Sequence, residues 1–277
     1  MTPHVALVAR LSKDSAMDGL DRHGKAVRNV TLPGDYVAFR LGVDQVGWAR
    51  PDSARLLANH GCGMDQGAVI LPETAALPGL ARTLAEAGAF KWRGEAFDVR
   101  AVANGPVLAT VDRGALPWFG IMAEGVHVNG LVRRPEGLHL WVARRAADRM
   151  MDPGKLDHLF AGGIGAGFSA AQTLIKEGGE EAGLEPSLLA GATFAGIVQY
   201  ESARPEGLRR DRLHCYDLYL PEDVIPVPSD GEVAGFELWP MERVVTALRE
   251  TDDFKFNVAL VIVDLIERLG CKKEVLF

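Results

Sequence analysis

Residues 162–184 read GGIGAGFSAAQTLIKEGGEEAGL, and the fold turns on how this stretch divides. A glycine-rich approach ends just before Ser169, a residue able to cap a helix while Gln172, three positions on, reaches back to complete a capping box. Gly183 is placed to end that helix. Within it Glu177, Glu180 and Glu181 stand at i, i+3 and i+4, so three carboxylates share one face. Like charges so spaced repel by roughly a few tenths of a kcal/mol per pair. A divalent cation would reverse that sign, and magnesium or manganese prefers hard oxygen ligands such as carboxylates and phosphate oxygens. The other face, Ala171, Leu174, Ile175, Gly178 and Ala182, is small and apolar enough to press onto a sheet. Gly178 and Gly179 each cost up to about 1 kcal/mol relative to alanine in a helix, and close backbone approach is a reason to keep them. Glutamates at helical spacing ordinarily make a solvated face. The glycine-rich approach, which brings backbone groups within reach of phosphates and metal, tips this run towards a site. A dinucleotide fingerprint starting at Gly163 fails at Phe168, and Phe168 also stands where a Walker A loop needs its lysine.

Outward from this helix, two strands connected by a turn are expected over residues 35–49, then a helix from Pro51 through Leu57 and another from Leu77 to Ala87. Strands FDVRAV and PVLATV flank Asn104 and Gly105. A new strand set starts at Val126, VHVNGLVRR then GLHLWVARR, with RRPEG as the turn between them. Beyond Gly183 come strands near FAGIVQY and HCYDLYL, a polar stretch PSDGEVAGFEL, and helices starting near Met241 and Asp253. Val258, Val261, Ile262, Leu265 and Leu269 fall at helical spacing and mark the last as a core helix. The chain is therefore read as mixed α/β (α+β), with a smaller α+β domain over 1–121 and a second domain over 122–277.

The chain of 277 residues carries 30 basic and 37 acidic side chains, a formal net charge of −7. That balance argues against nucleic acid as a partner. Cys62, Cys215 and Cys271 have no CxxC spacing, which suggests neither a disulfide framework nor a zinc site and fits a reducing cytoplasm. The opening MTPHVALVARLSKD lacks a signal-length apolar core. The longest strongly apolar segment, 258–266, is broken by Asp264 and too short to span a bilayer, so no membrane association is expected. The oligomeric state is open, a homodimer included.

The same 162–184 segment resembles the Nudix box, the pattern G, five residues, E, seven residues, R-E-U-x-E-E-x-G-U with U aliphatic. Gly162, Glu177, Glu180, Glu181, Gly183 and Leu184 match. Phe168 replaces the first glutamate, Lys176 the arginine and Gly178 an aliphatic residue. The likeness runs from about His127 to Gly270 and is similar to the Nudix branch found fused to, or beside, thiamin pyrophosphokinase; residues 35–122 resemble that branch's N-terminal domain of unassigned function. It implies an α/β/α sandwich with a mixed sheet, Mg2+ or Mn2+ at the box glutamates, and attack of water on a phosphorus of a small-molecule diphosphate. Damaged thiamin diphosphate, in its oxo or oxy forms, is the narrower substrate expectation, and nucleoside-diphosphate derivatives are the broader one. Glu177, Glu180, Glu181 and the Gly162 carbonyl are the implied metal ligands, with either paired glutamate able to orient the water. Glu232 is the candidate separate base, a solvated loop acid being the alternative. Lys155, Arg144 and Arg145 flank the glycine loop and complement phosphates in charge, and Trp141 is the candidate for stacking on a planar ring, although a strand tryptophan more often packs in a core. The histidines show no paired spacing and are read as structural or solvated. The three departures from the box leave a non-catalytic binding protein as the competing reading.

Overall fold

The computed structural model describes residues 5–7, 19–148, 152–229 and 231–270. In chain order the elements are β1 (Val5–Leu7), α1 (Asp21–Val27), β2 (Val37–Leu41), β3 (Asp44–Ala49), α2 (Pro51–Asn59), β4 (Gly63–Asp65), β5 (Ala68–Leu71), α3 (Leu77–Glu86), β6 (Ala96–Val99), β7 (Ala109–Asp112) and α4 (Leu116–Phe119). They continue as β8 (Met122–Arg134), β9 (Gly137–Arg145), β10 (Leu156–Asp157), β11 (Phe160–Gly163), α5 (Ala170–Ala182), α6 (Pro186–Leu189), β12 (Thr193–Arg204), β13 (Gly207–Tyr219), β14 (Val233–Pro240), α7 (Met241–Glu250) and α8 (Phe256–Gly270). Strands 37–41 and 44–49 and the helices from Pro51 and Leu77 lie where turn chemistry and periodicity put them.

A mixed sheet runs β1-β12-β13-β8-β9-β10, with β11 on β8 and β14 on β9. The pairs β1/β12 and β13/β8 are parallel and the others antiparallel. Strand alternation gives the sheet two buried faces. On one, Val126, Val128 and Trp141 pack with Leu174 and Ala182 of α5. On the other, Leu140 and Val142 pack with Val258, Ile262 and Leu265 of α8. This helix is apolar nearly all round because α1 and the sheet cover it. The result is an α/β/α sandwich.

A smaller sheet, β3-β2-β5-β4, and the β6–β7 ribbon share a second core around Phe39, Leu57, Leu84, Phe97 and Phe119. Although β1 and α1 precede this unit in the chain, they pair with and pack on the larger sheet. Cys271 and most of the opening segment fall outside the described residues. Among the described residues no helix is long and apolar enough to cross a membrane.

Two expectations are corrected. The polar stretch 228–238 is largely strand: from Val233 it forms β14, paired antiparallel with β9. Its polar residues sit at a sheet edge, where one side is wet and alternation is diluted. On α5, Ala171 and Ile175 are exposed, and Thr173, Leu174, Gly178 and Ala182 make the buried stripe instead. The two helical glycines differ in cause. A Cβ on Gly178 would come 2.4 Å from Leu189 Cδ2, whereas one on Gly179 would have nothing nearer than 4.0 Å. Gly178→Ala should therefore lower the melting temperature, while Gly179→Ala should stabilise by about 0.5–1 kcal/mol through helix propensity; paired thermal melts check both.

Candidate active site

The loop 164–168 delivers α5 at a fixed angle. Ser169 Oγ accepts from the Gln172 N–H at 3.2 Å and the Ser169 N–H donates to Gln172 Oε1 at 2.9 Å, the reciprocal bonds of a capping box. At the other end Gly183, at φ 62°, closes the helix. Between these stops the helix lies against β11 closely enough for its acids to meet strand backbone.

Glu177 leans onto Gly162, where a Cβ would lie 2.4 Å from the Glu177 carboxyl carbon. Any side chain there would have to displace that carboxylate. Glu181 accepts the Ala161 N–H at 3.1 Å. Burial first, and then the charge of Asp157, push its carboxyl up to about 8. Burial also raises Glu177, opposed by the Lys176 ammonium at 3.0 Å. Glu180 is 54% exposed and holds Lys176 at 2.7 Å. The three glutamates therefore do not aim alike: Glu177 and Glu181 face the strand and Glu180 flanks them. Glu232, half-buried beside the start of β14, lies close enough for its charge to raise both Glu177 and Glu181. Even so, among the described residues no three His, Cys, Asp or Glu side chains are drawn into a ready-made cation cluster.

Behind Glu181 lies a polar network that sequence reading missed. Asp157 is buried, bonded by Arg145 at 2.9 Å and flanked by Lys255 at 3.5 Å, and its carboxyl is held well below the usual range. Burial opposes that shift, and the neighbouring cations with the His158 contact overcome it. His158 and His127 meet through their Nδ1 atoms at 3.1 Å, both buried and both with lowered proton affinity, so the contact is between neutral rings. The two histidines are 31 residues apart and come together only because β11 pairs with β8. Local spacing carries no trace of that.

The remaining expected site residues separate. Arg145 lines a cavity together with Gly162 and Gly163. Lys155 donates to the Asp252 carbonyl, between α7 and α8, and Arg144 donates to the Gly154 carbonyl in the loop after β9. Trp141 is 7% exposed inside the α5-side core, with its indole N–H unpartnered, and has no free face for stacking. A strand buried on both faces hides a tryptophan wherever it points.

The cavity is about 500 Å³, ordinary for a small-molecule site. It lies between the two units, floored by Ala161, Gly162 and Gly163 and walled on the other side by Phe90, Phe97 and Trp118.

A mixed-sheet sandwich whose glycine loop feeds an acid-bearing helix is the architecture the box resemblance implies. Residues 124–259 match the family model of the NUDIX domain. The chain is 42% identical over 178 residues to Nudix hydrolase 20, chloroplastic, of Arabidopsis thaliana, covering 64% of this chain and 48% of that protein. It is 40% identical over 178 residues to Nudix hydrolase 24, chloroplastic, of the same plant, covering 64% and 49%. The chain thus spans about half the length of these curated relatives. Among solved structures, DR0079 of Deinococcus radiodurans aligns at 19% identity and TM-score 0.46, over 63% of this chain and 98% of that one.

The raised Glu181 carboxyl has a consequence for stability. Its folded value of about 8 exceeds the ordinary 4.5, so between these values the folded state binds a proton that the unfolded state has released. Stability of the metal-free protein should fall as pH rises across that window, by on the order of a few kcal/mol at most. Glu181→Gln should remove the slope, melting above the parent at pH 8–9 in EDTA and level with it near pH 4; thermal melts across pH check this.

Proposed function

We propose that this protein is a metal-dependent hydrolase that cleaves the diphosphate bond of a small organic diphosphate. The observation that carries the reading is the seating of Glu177 against Gly162 and of Glu181 on the Ala161 N–H, which sets two carboxylates against the end of β11. These donors are all hard oxygens, and burial first, with neighbouring carboxylate charge after it, raises the proton affinity of Glu177 and Glu181. That donor chemistry suits Mg2+ or Mn2+, with Glu177, Glu180, Glu181 and the Gly162 carbonyl as the groups to hold it. When bound, such a cation supplies Lewis acidity and offsets the charge of the diphosphate.

The chain's own groups account for the rest. Glu232 accepts the proton of the water whose oxygen bonds to phosphorus, and the bridging P–O bond breaks to leave the organic monophosphate and a second phosphate product. Arg145, held in place by Asp157, presents a cation beside Gly162. Glu181 is partly buried where α5 lies on β11.

Nucleoside-diphosphate derivatives are the substrate class we assign, with oxidised thiamin diphosphate as the narrower option that the resemblance to the thiamin-linked branch supports. A cytoplasmic setting belongs to the same proposal, as does a homodimer. One observation favours a non-catalytic binding protein instead: the Lys176 ammonium lies 3.0 and 2.7 Å from Glu177 and Glu180, an internal cation among the intended ligands.

The test is product analysis with Mg2+ or Mn2+ on ADP-ribose, NADH, nucleoside triphosphates, thiamin diphosphate and oxythiamin diphosphate. Metal-dependent cleavage of at least one, reduced at least about a hundredfold in Glu181→Gln, is expected. Absence of turnover across the panel, with ligand binding retained, would sink the hydrolase reading and leave the binding protein.

A further inference from the structure

The cavity's charge runs opposite to the chain's. Eight lysines and arginines but three aspartates and glutamates line it, in a protein whose acids outnumber its bases by 37 to 30. Part of that basic lining comes from the smaller unit, which the hydrolase reading leaves without a task. Lys91, Arg93 and Arg113 all line the cavity.

These three do not project from a loose loop. Asp112, 4% exposed, accepts the backbone N–H groups of Arg93 at 3.0 Å, Gly94 at 2.7 Å and Gly114 at 2.8 Å. One buried carboxylate thus clamps segments 91–94 and 112–114 together through their backbone and fixes where the side chains of Lys91, Arg93 and Arg113 start. Arg113 pairs with Glu95 at 2.9 Å, but both side chains are about half exposed, at 51% and 53%, so the pair is weak and readily exchanged for a multiply charged anion. Elsewhere on the lining Asp157 holds Arg145 at 2.9 Å and Lys255 at 3.5 Å.

The smaller unit is also fastened to the glycine loop. The Ala166 N–H donates to the Ala96 carbonyl at 2.8 Å, and the Phe97 ring sits where a Cβ on Gly163 would come within 2.5 Å of it. Arg50 donates to the Pro205 carbonyl at 3.2 Å across the same junction. A ligand resting on Gly162 and Gly163 therefore faces the β6–β7 ribbon and its cations.

We propose that the smaller unit forms one wall of the ligand site, with Lys91, Arg93 and Arg113 binding phosphate oxygens of the organic diphosphate in the cavity between the units and Asp112 acting as the positioning residue beneath them. The choice of diphosphate as the anion rests on the hydrolase reading; the anion site itself rests on the cavity.

Calorimetric titration of the full chain with inorganic pyrophosphate in EDTA isolates this wall from any metal at the glutamates. The parent should bind, more weakly as salt is raised. Arg93→Gln with Arg113→Gln should bind at least about tenfold more weakly, each single variant should show part of that loss, and Arg113→Lys should keep most of the affinity. Arg55→Gln, on an exposed turn of α2 away from the cavity, should behave as the parent. Affinity unchanged in the double variant, an equal loss in Arg55→Gln, or no binding by the parent would each overturn the proposal. If the double variant melts early, the single variants and Arg113→Lys decide. The two readings fail separately: a parent that hydrolyses nothing but loses pyrophosphate binding in the double variant defeats only the hydrolase, and hydrolysis with an unchanged KM in the double variant defeats only this site.

Discussion

The distance between α5 and β11 governs the rest of the molecule. Backbone hydrogen bonding to Glu181 and the contact of Glu177 with Gly162 both require the helix to approach a strand with almost no side chain between them. Gly178 allows that approach on the helix, where Leu189 and Phe160 fill the space a Cβ would take, and Gly162 allows it on the strand. The arrangement is not one a helix adopts for stability. Carboxylates taken from water beside one another cost free energy that their hydrogen bonds only partly offset. The cost is carried by the apolar core on both faces of the sheet, above all by α8, which buries most of its length.

Around that constraint the charges are segregated. The acids cluster at the β11 glycines: burial raises Glu177 and Glu181, the charge of Glu232 adds to both, and Lys176 opposes the rise at Glu177. The cations line the cavity. An acid group beside a basic cavity suits a ligand that brings phosphate to the cations and meets a metal at the acids. Asp157 stands between the two arrays, pinning Arg145 and Lys255 while its own charge pushes Glu181 up. The smaller unit closes the cavity, through a ribbon hydrogen-bonded to the loop that starts α5.

What could be read in the sequence was whatever the chain writes locally. The cap at Ser169, the stop at Gly183 and the spacing of the glutamates lie within one continuous segment, and each is a rule about neighbours a few residues apart. The core role of the last helix followed from periodicity for the same reason. The network of Asp157, His127 and His158 was illegible because it forms only when β11 lies beside β8, and the Asp112 clamp because it joins segments 18 residues apart or more around a turn. Trp141, Lys155 and Arg144 make contacts within the protein that the sequence did not show, because nearness in sequence to the glycine loop does not say which face of a two-sided sheet, or which loop, a side chain joins. The buried stripe of α5 shifted for a related reason: it is set by where β11 and α6 lie, not by the most apolar residues of the helix.

The central claim is that the junction of Gly162 with Glu177 and Glu181 is built for a divalent cation. Anomalous diffraction from crystals soaked in Mn2+ tests it most directly. The account predicts a strong peak within bonding reach of the Glu177 and Glu181 carboxylates and the Gly162 carbonyl, with the Lys176 ammonium displaced from Glu177. Saturating Mn2+ that leaves this junction empty, with Lys176 still bonded to Glu177 and Glu180, would contradict it.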